Sequence, residues 1–152
     1  MRISAKADYA VRALAELAAM PGPEPVKAEQ IAQSQDISEA FLLGILGELR
    51  RAGLVRSQRG QSGGYALARP AAAITLADVI RAVDGPLASV RESRPENCSY
   101  EGPAAALQDV WVAVRVNLRA VLEAVTLADL ASGDLPPAIR ALTQADDAWL
   151  PH

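Results

Sequence analysis

Residues 54–69, LVRSQRGQSGGYALAR, place two short extended segments, LVRSQR and YALAR, on either side of the glycine-bearing loop GQSGG. Short β-prone runs around such a loop read as a hairpin. Arg69–Pro70 ends the second segment, because proline supplies no N–H to a ladder. The other patterned segments step by three and four, the spacing of helices. The expected fold class is therefore mainly α with a small β-hairpin.

Three helical patterns precede the hairpin. Ser4 can cap a helix over about 5–20 with an apolar stripe of Tyr9, Ala10, Ala13, Leu14, Leu17 and Ala18. PGPEP at 21–25 stops it. A short helix follows around KAEQIAQSQ, turning Ala28, Ile31 and Ala32 inward, and QDI makes a tight turn. Ser38 then caps a helix that ends at RRAG, with Gly53 as its C′ residue and Phe41, Leu42, Ile45, Leu46 and Leu49 as its stripe.

After the hairpin, ITLADVIRAVDG (74–85) carries Thr75 as N-cap and Asp78 three residues on, and stops at Gly85–Pro86. Residues 86–102 form a loop marked by Pro86 and Pro95. Leu107, Val110, Trp111, Val114, Leu118, Val121, Leu122 and Val125 then step by three and four, giving one broad apolar face on a helix over 103–125. A short helix at 127–132 ends at Gly133, and TLADL (126–130) echoes TLADV (75–79) as reused capping chemistry. The tail 134–152 carries one further turn and little other pattern. The units are thus 1–85, the loop 86–102, the helices of 103–133, and the tail.

About half the residues are hydrophobic, but only one is Phe; the apolar mass is Ala, Leu and Val, which suits helix packing. One cysteine excludes an intrachain disulfide. No apolar run is long enough to span a bilayer, and MRISAKADYAVRALAELAAM lacks the parts of a signal peptide. A cytoplasmic protein is expected. Its formal charge of −3 conceals an asymmetry: residues 1–69 carry nine Lys/Arg against seven Asp/Glu, and residues 70–152 carry six against eleven. Five arginines and no acid fall within 50–69, a local positive field of the kind that governs approach to phosphate.

Helix, short helix, turn, longer helix, hairpin is the order of a winged helix-turn-helix, in which the start of the second of the paired helices enters the DNA major groove and the hairpin reaches the flanking backbone. On this reading Ser38, Glu39, Ala40 and Phe41 form the exposed reading end of that helix. A helix N-terminus favours phosphate, and a serine hydroxyl can bond a base edge. Arg50 and Arg51 lie near its far end, and Arg56 and Arg59 project from the wing, where arginine suits phosphate or a narrow minor groove. Gly60, Gly63 and Gly64 let the wing tip approach the backbone. The same architecture also serves as a protein-interaction module that binds no DNA, so that alternative stands beside the first. No catalytic constellation, phosphate loop or zinc spacing occurs, and no enzyme is expected.

MRISAKADYAVRALAELA, DISEAFLLGILGELRRAGLVRSQRGQSGGYALARP and ITLADVIRAVDGPL resemble the Rrf2 family of bacterial repressors, which includes IscR, NsrR and CymR. The resemblance runs from Met1 to about Gly133, most specifically from Gly53 to Pro70. It implies a homodimer in which each chain contributes a winged helix-turn-helix and the long 103–125 helix. Its dimerisation face would be Leu107, Val110, Trp111, Val114, Leu118, Val121 and Leu122. It carries DNA reading to Ser38, Glu39, Ala40, Phe41 and Arg59. Leu43 and Gly44 depart from the polar readers common in relatives, and Gly44 and Gly47 each weaken the helix by ~1 kcal/mol against Ala.

In the family's iron–sulfur branches three cysteines precede the dimerisation helix. Here that span is VRESRPENCSYEGPAAALQDVW, with Cys98 alone; the one histidine is His152, the last residue. Asp8 matches a position where some relatives use a carboxylate ligand, and it also suits the first turn of a helix. Clusters normally take four ligands, so no cofactor is expected, with an iron–sulfur or thiol sensor using Cys98 and Asp8 as the alternative. The acidic neighbours Glu96 and Glu101 do not favour a reactive thiolate. The chain most resembles the clusterless, CymR-type members. That likeness implies double-stranded DNA and a second copy as partners, a small-molecule or protein effector, no membrane, and a link to cysteine and sulfur metabolism.

Overall fold

A computed structural model describes residues 2–151; His152 lies outside the described residues. The first helix, α1 (Ala5–Ala19), is held at its start by Ser4, whose hydroxyl accepts from the Ala7 N–H at 2.9 Å and donates to the Asp84 carboxylate at 2.6 Å. It is followed by α2 (Ala28–Gln35), which Asp36 closes in the left-handed region at φ 52°, and by α3 (Glu39–Arg51). At the end of α3 Gly53 turns at φ 72°. The Leu54 N–H donates to the Leu49 carbonyl and the Gly53 N–H to that of Arg50, both at 3.0 Å. This paired closure needs a residue at ease with positive φ, which is why RRAG ends the helix.

The wing is an antiparallel pair, β1 (Val55–Gln58) and β2 (Gly64–Leu67), with Val55 opposite Leu67 and Gln58 opposite Gly64. Then come α4 (Leu76–Asp84), a loop with 3-10 turns at 95–97 and 102–104, α5 (Leu107–Leu122), α6 (Leu127–Ser132) and α7 (Pro137–Thr143).

The core forms around α1. Its buried Ala7, Ala10 and Ala13 are small enough to let neighbouring helices approach closely, and Leu14 and Leu17 fill the remaining space. Leu42, Ile45, Leu46 and Leu49 of α3, Ile31 of α2 and Val79 of α4 complete the cluster. Leu127, at the start of α6, is fully buried in the same cluster, so the chain leaves along α5 and returns to pack α6 on α1.

The return is organised by the two TLAD segments. Thr75 and Thr126 each accept at the hydroxyl from the Asp N–H three residues on, while Asp78 and Asp129 accept from the Thr backbone N–H, so both helices start with a complete capping box. The caps also pair: the Leu76 N–H donates to the Val125 carbonyl and the Leu127 N–H to the Ile74 carbonyl, both at 3.0 Å. The echo that reads as reused capping is a joined pair of caps.

Several sequence expectations change in detail. The long helix starts at 107 rather than 103, because Gly102 takes φ 59° and Gly102–Ala104 forms a 3-10 turn. It stops at 122 because the Val125 carbonyl accepts from the Leu76 N–H and Thr126 turns extended to cap the next helix. Phe41 is 43% exposed rather than part of the buried stripe, since Leu42, Ile45, Leu46 and Leu49 already occupy the inward arc. Ser38 sits at the N-cap of α3 but makes no side-chain cap bond; its carbonyl accepts the Leu42 N–H at 2.9 Å. The tail holds a helix, α7, pinned by Arg140 to Asp134 and to the Leu135 carbonyl.

Candidate nucleic-acid interface

The start of α3 is an open helix end. Ser38, Glu39, Ala40 and Phe41 are all exposed, and no side chain caps the first turn. The leading N–H groups of a helix have no partner within it. Without a capping hydroxyl they leave a donor surface with partial positive charge, suited to phosphate. Glu39 adds a carboxylate there, so a base-edge donor or a well-placed cation must share the contact.

This end is held at a fixed angle. The Phe41 ring meets Tyr9 of α1 edge-on, with centroids 5.7 Å apart, and the Arg12 guanidinium lies 5.3 Å from the Tyr9 centroid. Arg12 also donates to the Gln35 side chain at 3.2 Å and to the Gln35 backbone carbonyl, so α1 grips the end of α2. Gln35 in turn donates to Glu16 at 2.8 Å, and Lys6 pairs with Glu48 of α3 at 3.2 Å. Tyr9, read from sequence only as part of the apolar stripe, is a positioning residue, and so is Arg12, which sequence reasoning passed over. The only trace was the four-residue spacing of Asp8 and Arg12, whose ion pair measures 3.4 Å.

The five arginines of residues 50–69 divide in the fold. Arg50 donates to the Ser57 hydroxyl at 3.1 Å and joins the end of α3 to β1. Arg56 donates to the Pro23 carbonyl at 2.9 Å, and Arg69 lies 3.8 Å from Asp78. Arg51 and Arg59 are exposed and make no hydrogen bond or ion pair among the described residues, so their charge faces solvent undiminished. Exposed Lys27 stands at the N-cap of α2, beside Gly64 at the loop end of the wing's ladder, and adds a cation that the sequence reading did not single out.

The wing glycines separate by function. A Cβ at Gly60 would meet nothing within 4 Å, although its φ is 102°. One at Gly63 would fall 2.3 Å from the Gln58 carbonyl oxygen, and one at Gly64 2.4 Å from that of Val26. Gly63 is therefore demanded by the hairpin's own loop and Gly64 by the Val26 segment that lies against it, and of the three only Gly60 is open.

Cys98 is buried at the end of the 95–97 turn, its Sγ 3.5 Å from the Arg94 carbonyl oxygen and 3.9 Å from that of Val90. Around it the loop puts three non-glycine residues, Ala88, Arg91 and Glu92, at positive φ. No three His, Cys, Asp or Glu side chains converge as a metal site among the described residues, and Asp8 is paired with Arg12. The donor set of one chain does not fit an iron–sulfur cluster, which needs about four ligands, mostly thiolates.

α5 presents the second surface. It buries no residue fully; Val110 is 50% exposed, and with Ala113, Val114, Leu118 and Val121 it forms an open apolar groove. Leu107, Trp111 and Leu122, also expected on this face, are half-buried and do not line the groove. A helix this apolar normally has a partner.

The profile of the Rrf2 family, described as an iron-dependent transcriptional regulator, matches residues 3–133. A Mycobacterium tuberculosis protein named as an HTH-type transcriptional regulator, Rv1287, is 52% identical over 147 residues, covering 97% of this chain and 90% of that protein. Among solved structures, CymR of Bacillus subtilis, described as a global cysteine regulator, superposes with a TM-score of 0.74 at 38% identity, covering 88% of this chain and 98% of that one. IscR of T. potens superposes with a TM-score of 0.71 at 34% identity, covering 88% of each chain. No helix among the described residues is long and apolar enough to cross a membrane.

Proposed function

The chain belongs to the Rrf2 family of DNA-binding, winged-helix transcriptional regulators, and from this we propose that it works as a homodimeric repressor of an inverted-repeat operator. The observation that carries the reading is the uncapped, exposed start of α3, Ser38 to Phe41, held by Tyr9 and Arg12 on the same domain as the uncompensated Arg51 and Arg59. In this reading Ser38, Glu39, Ala40 and Phe41 meet the major groove, and Arg59, Arg51 and Lys27 meet phosphates or the minor groove. Arg50 and Arg56 chiefly brace the wing.

The second copy docks along the apolar face of α5. Two winged helices related by a two-fold axis read half-sites centred ~34–36 Å apart, or a multiple of that. Repression follows simply when such a dimer occupies a promoter. We assign no catalytic step and no resident cluster. The likeness to CymR supports a regulon in cysteine or sulfur metabolism.

The test is a mobility shift on the gene's own promoter region at moderate salt, with a scrambled duplex as competitor. A specific shift onto an inverted repeat is expected. No specific shift, with or without candidate effectors, would favour an interaction module that binds no DNA. The family's iron-dependent description keeps one second reading in play: brown, anaerobically purified protein with stoichiometric iron and sulfide would make it a cluster sensor.

A further inference from the structure

A cavity of about 440 Å³ lies where α4, the 86–97 loop and α5 meet. Arg81 of α4, Arg94 of the loop, and Arg115 and Arg119 of α5 line it, together with Glu96 and the apolar wall of Leu87. The acids are spoken for. Glu96 pairs with Arg115, and Glu123, next to the cavity, accepts from both Arg81 and Arg119. Four guanidiniums thus face two carboxylates. The C-terminus of α4 at this wall offsets roughly half a charge, and Asp84 beside Gly85 is turned to the Ser4 hydroxyl, so the cavity keeps a positive excess of about half a unit once Asp84 is counted. Arg94 has no side-chain hydrogen bond or ion pair among the described residues, and the Nε of Arg115 is enclosed without a partner. Enclosed donors without acceptors are rare in folded proteins, and clustered like charges repel unless a counter-charge joins them.

We propose that this cavity is a binding site for a small molecule carrying a doubly charged oxyanion group, such as a phosphate, a sulfate or a pair of carboxylates. The volume falls in the range of small-ligand sites. Guanidinium forks match the oxygen geometry of such groups. Leu87 gives an apolar surface for the ligand's body. The site stands apart from the DNA-contacting face proposed above, and its assignment does not rest on DNA binding.

The direct test titrates the full-length protein with inorganic phosphate, sulfate and citrate in separate arms. Each arm runs at constant ionic strength set with chloride, and binding is read by calorimetry and by the melting temperature. Saturable binding of one anion per chain is expected in at least one arm, and the preferred arm names the oxyanion class. Arg94→Gln should weaken it roughly tenfold, the usual worth of one charge-assisted contact. Glu96→Gln should strengthen it, because a competing carboxylate is removed and Arg115 is freed. Binding no better than chloride in every arm, an unaltered Arg94→Gln, or a weaker Glu96→Gln would overturn the assignment. In anion-free buffer Arg94→Gln should bind operator DNA with the same salt dependence as the parent. A reduced dependence would make Arg94 a DNA-phosphate contact and likewise overturn it, whereas absence of any operator shift leaves the anion titration to stand by itself.

Discussion

Val26 and Tyr65 exchange both backbone hydrogen bonds, each at 2.8 Å, so the segment entering α2 forms a third short rung beside the wing. The rung requires Gly64, at φ 152°, to lie against the Val26 carbonyl with no side chain between them. Gly64→Ala would force backbone apart, and a loss of about 3 kcal/mol or more is expected. Gly60→Ala meets only its own left-handed strain, about 1–2 kcal/mol. Urea unfolding of the two variants checks the order. If Gly64→Ala kept its stability and lost only DNA binding, the glycine would serve the DNA contact instead of the rung.

Much of this fold could be read from residue types. Ser4, Gly53, Thr75 and Gly133 announce helix ends by capping chemistry that acts within a few residues. The hairpin followed from GQSGG, and the α5 stripe from its period. What remained hidden was long-range. Nothing in TLADV and TLADL signals that Leu76 and Leu127 cross-pair with Val125 and Ile74, because that bridge joins residues about fifty positions apart. Arg12 gripping Gln35 and the gathering of Arg81, Arg94, Arg115 and Arg119 are hidden for the same reason. The arginine run of 50–69 reads as one charged face, yet only the fold separates bracing Arg50 and Arg56 from Arg51 and Arg59.

Cys98 is enclosed between two backbone carbonyls. A serine hydroxyl can donate to the same oxygens, so Cys98→Ser should leave operator affinity and the visible spectrum unchanged. A lost absorption band or a derepressed promoter in the variant would assign the thiol to sensing.

Glu123 links α4 to α5 by accepting from Arg119 and Arg81, whose hydrogen bonds hold its carboxyl down at about 2, against an ordinary 4.5. A carboxyl depressed in the folded state contributes stability above its unfolded pKa and loses it as pH falls toward the folded one. That contribution should be complete above about pH 5 and fade between about 4.5 and 2. Urea unfolding of the parent and Glu123→Gln over this range should show the gap between them closing as pH falls. A constant gap would mean that Glu123 acts through packing alone.

Val110 is half exposed on the apolar face of α5. Val110→Asp should therefore spare the isolated chain, yet in a dimer it would bury a carboxylate without a partner, which costs several kcal/mol. Light scattering should report a single-chain mass for the variant and twice that for the parent. Operator affinity should fall in parallel, because half-site pairing is lost. A dimeric variant would move the interface elsewhere.

Arg59 is exposed at the wing, with no intramolecular partner among the described residues. Phosphate neutralisation releases condensed counterions, so the logarithm of affinity falls with the logarithm of salt in proportion to the contacts made. Arg59→Ala should weaken operator and non-specific duplexes by similar factors and lower the salt slope by about one. If Arg59 instead enters a narrow minor groove, the loss would be larger on A·T-rich flanks, because the potential there is more negative. Arg56→Ala, whose guanidinium is bonded to the Pro23 carbonyl, should change the slope less and the stability of the wing more. Titrations of both variants across a salt series distinguish a cation that meets DNA from one that holds the hairpin, and an unchanged slope for Arg59→Ala would remove it from the interface.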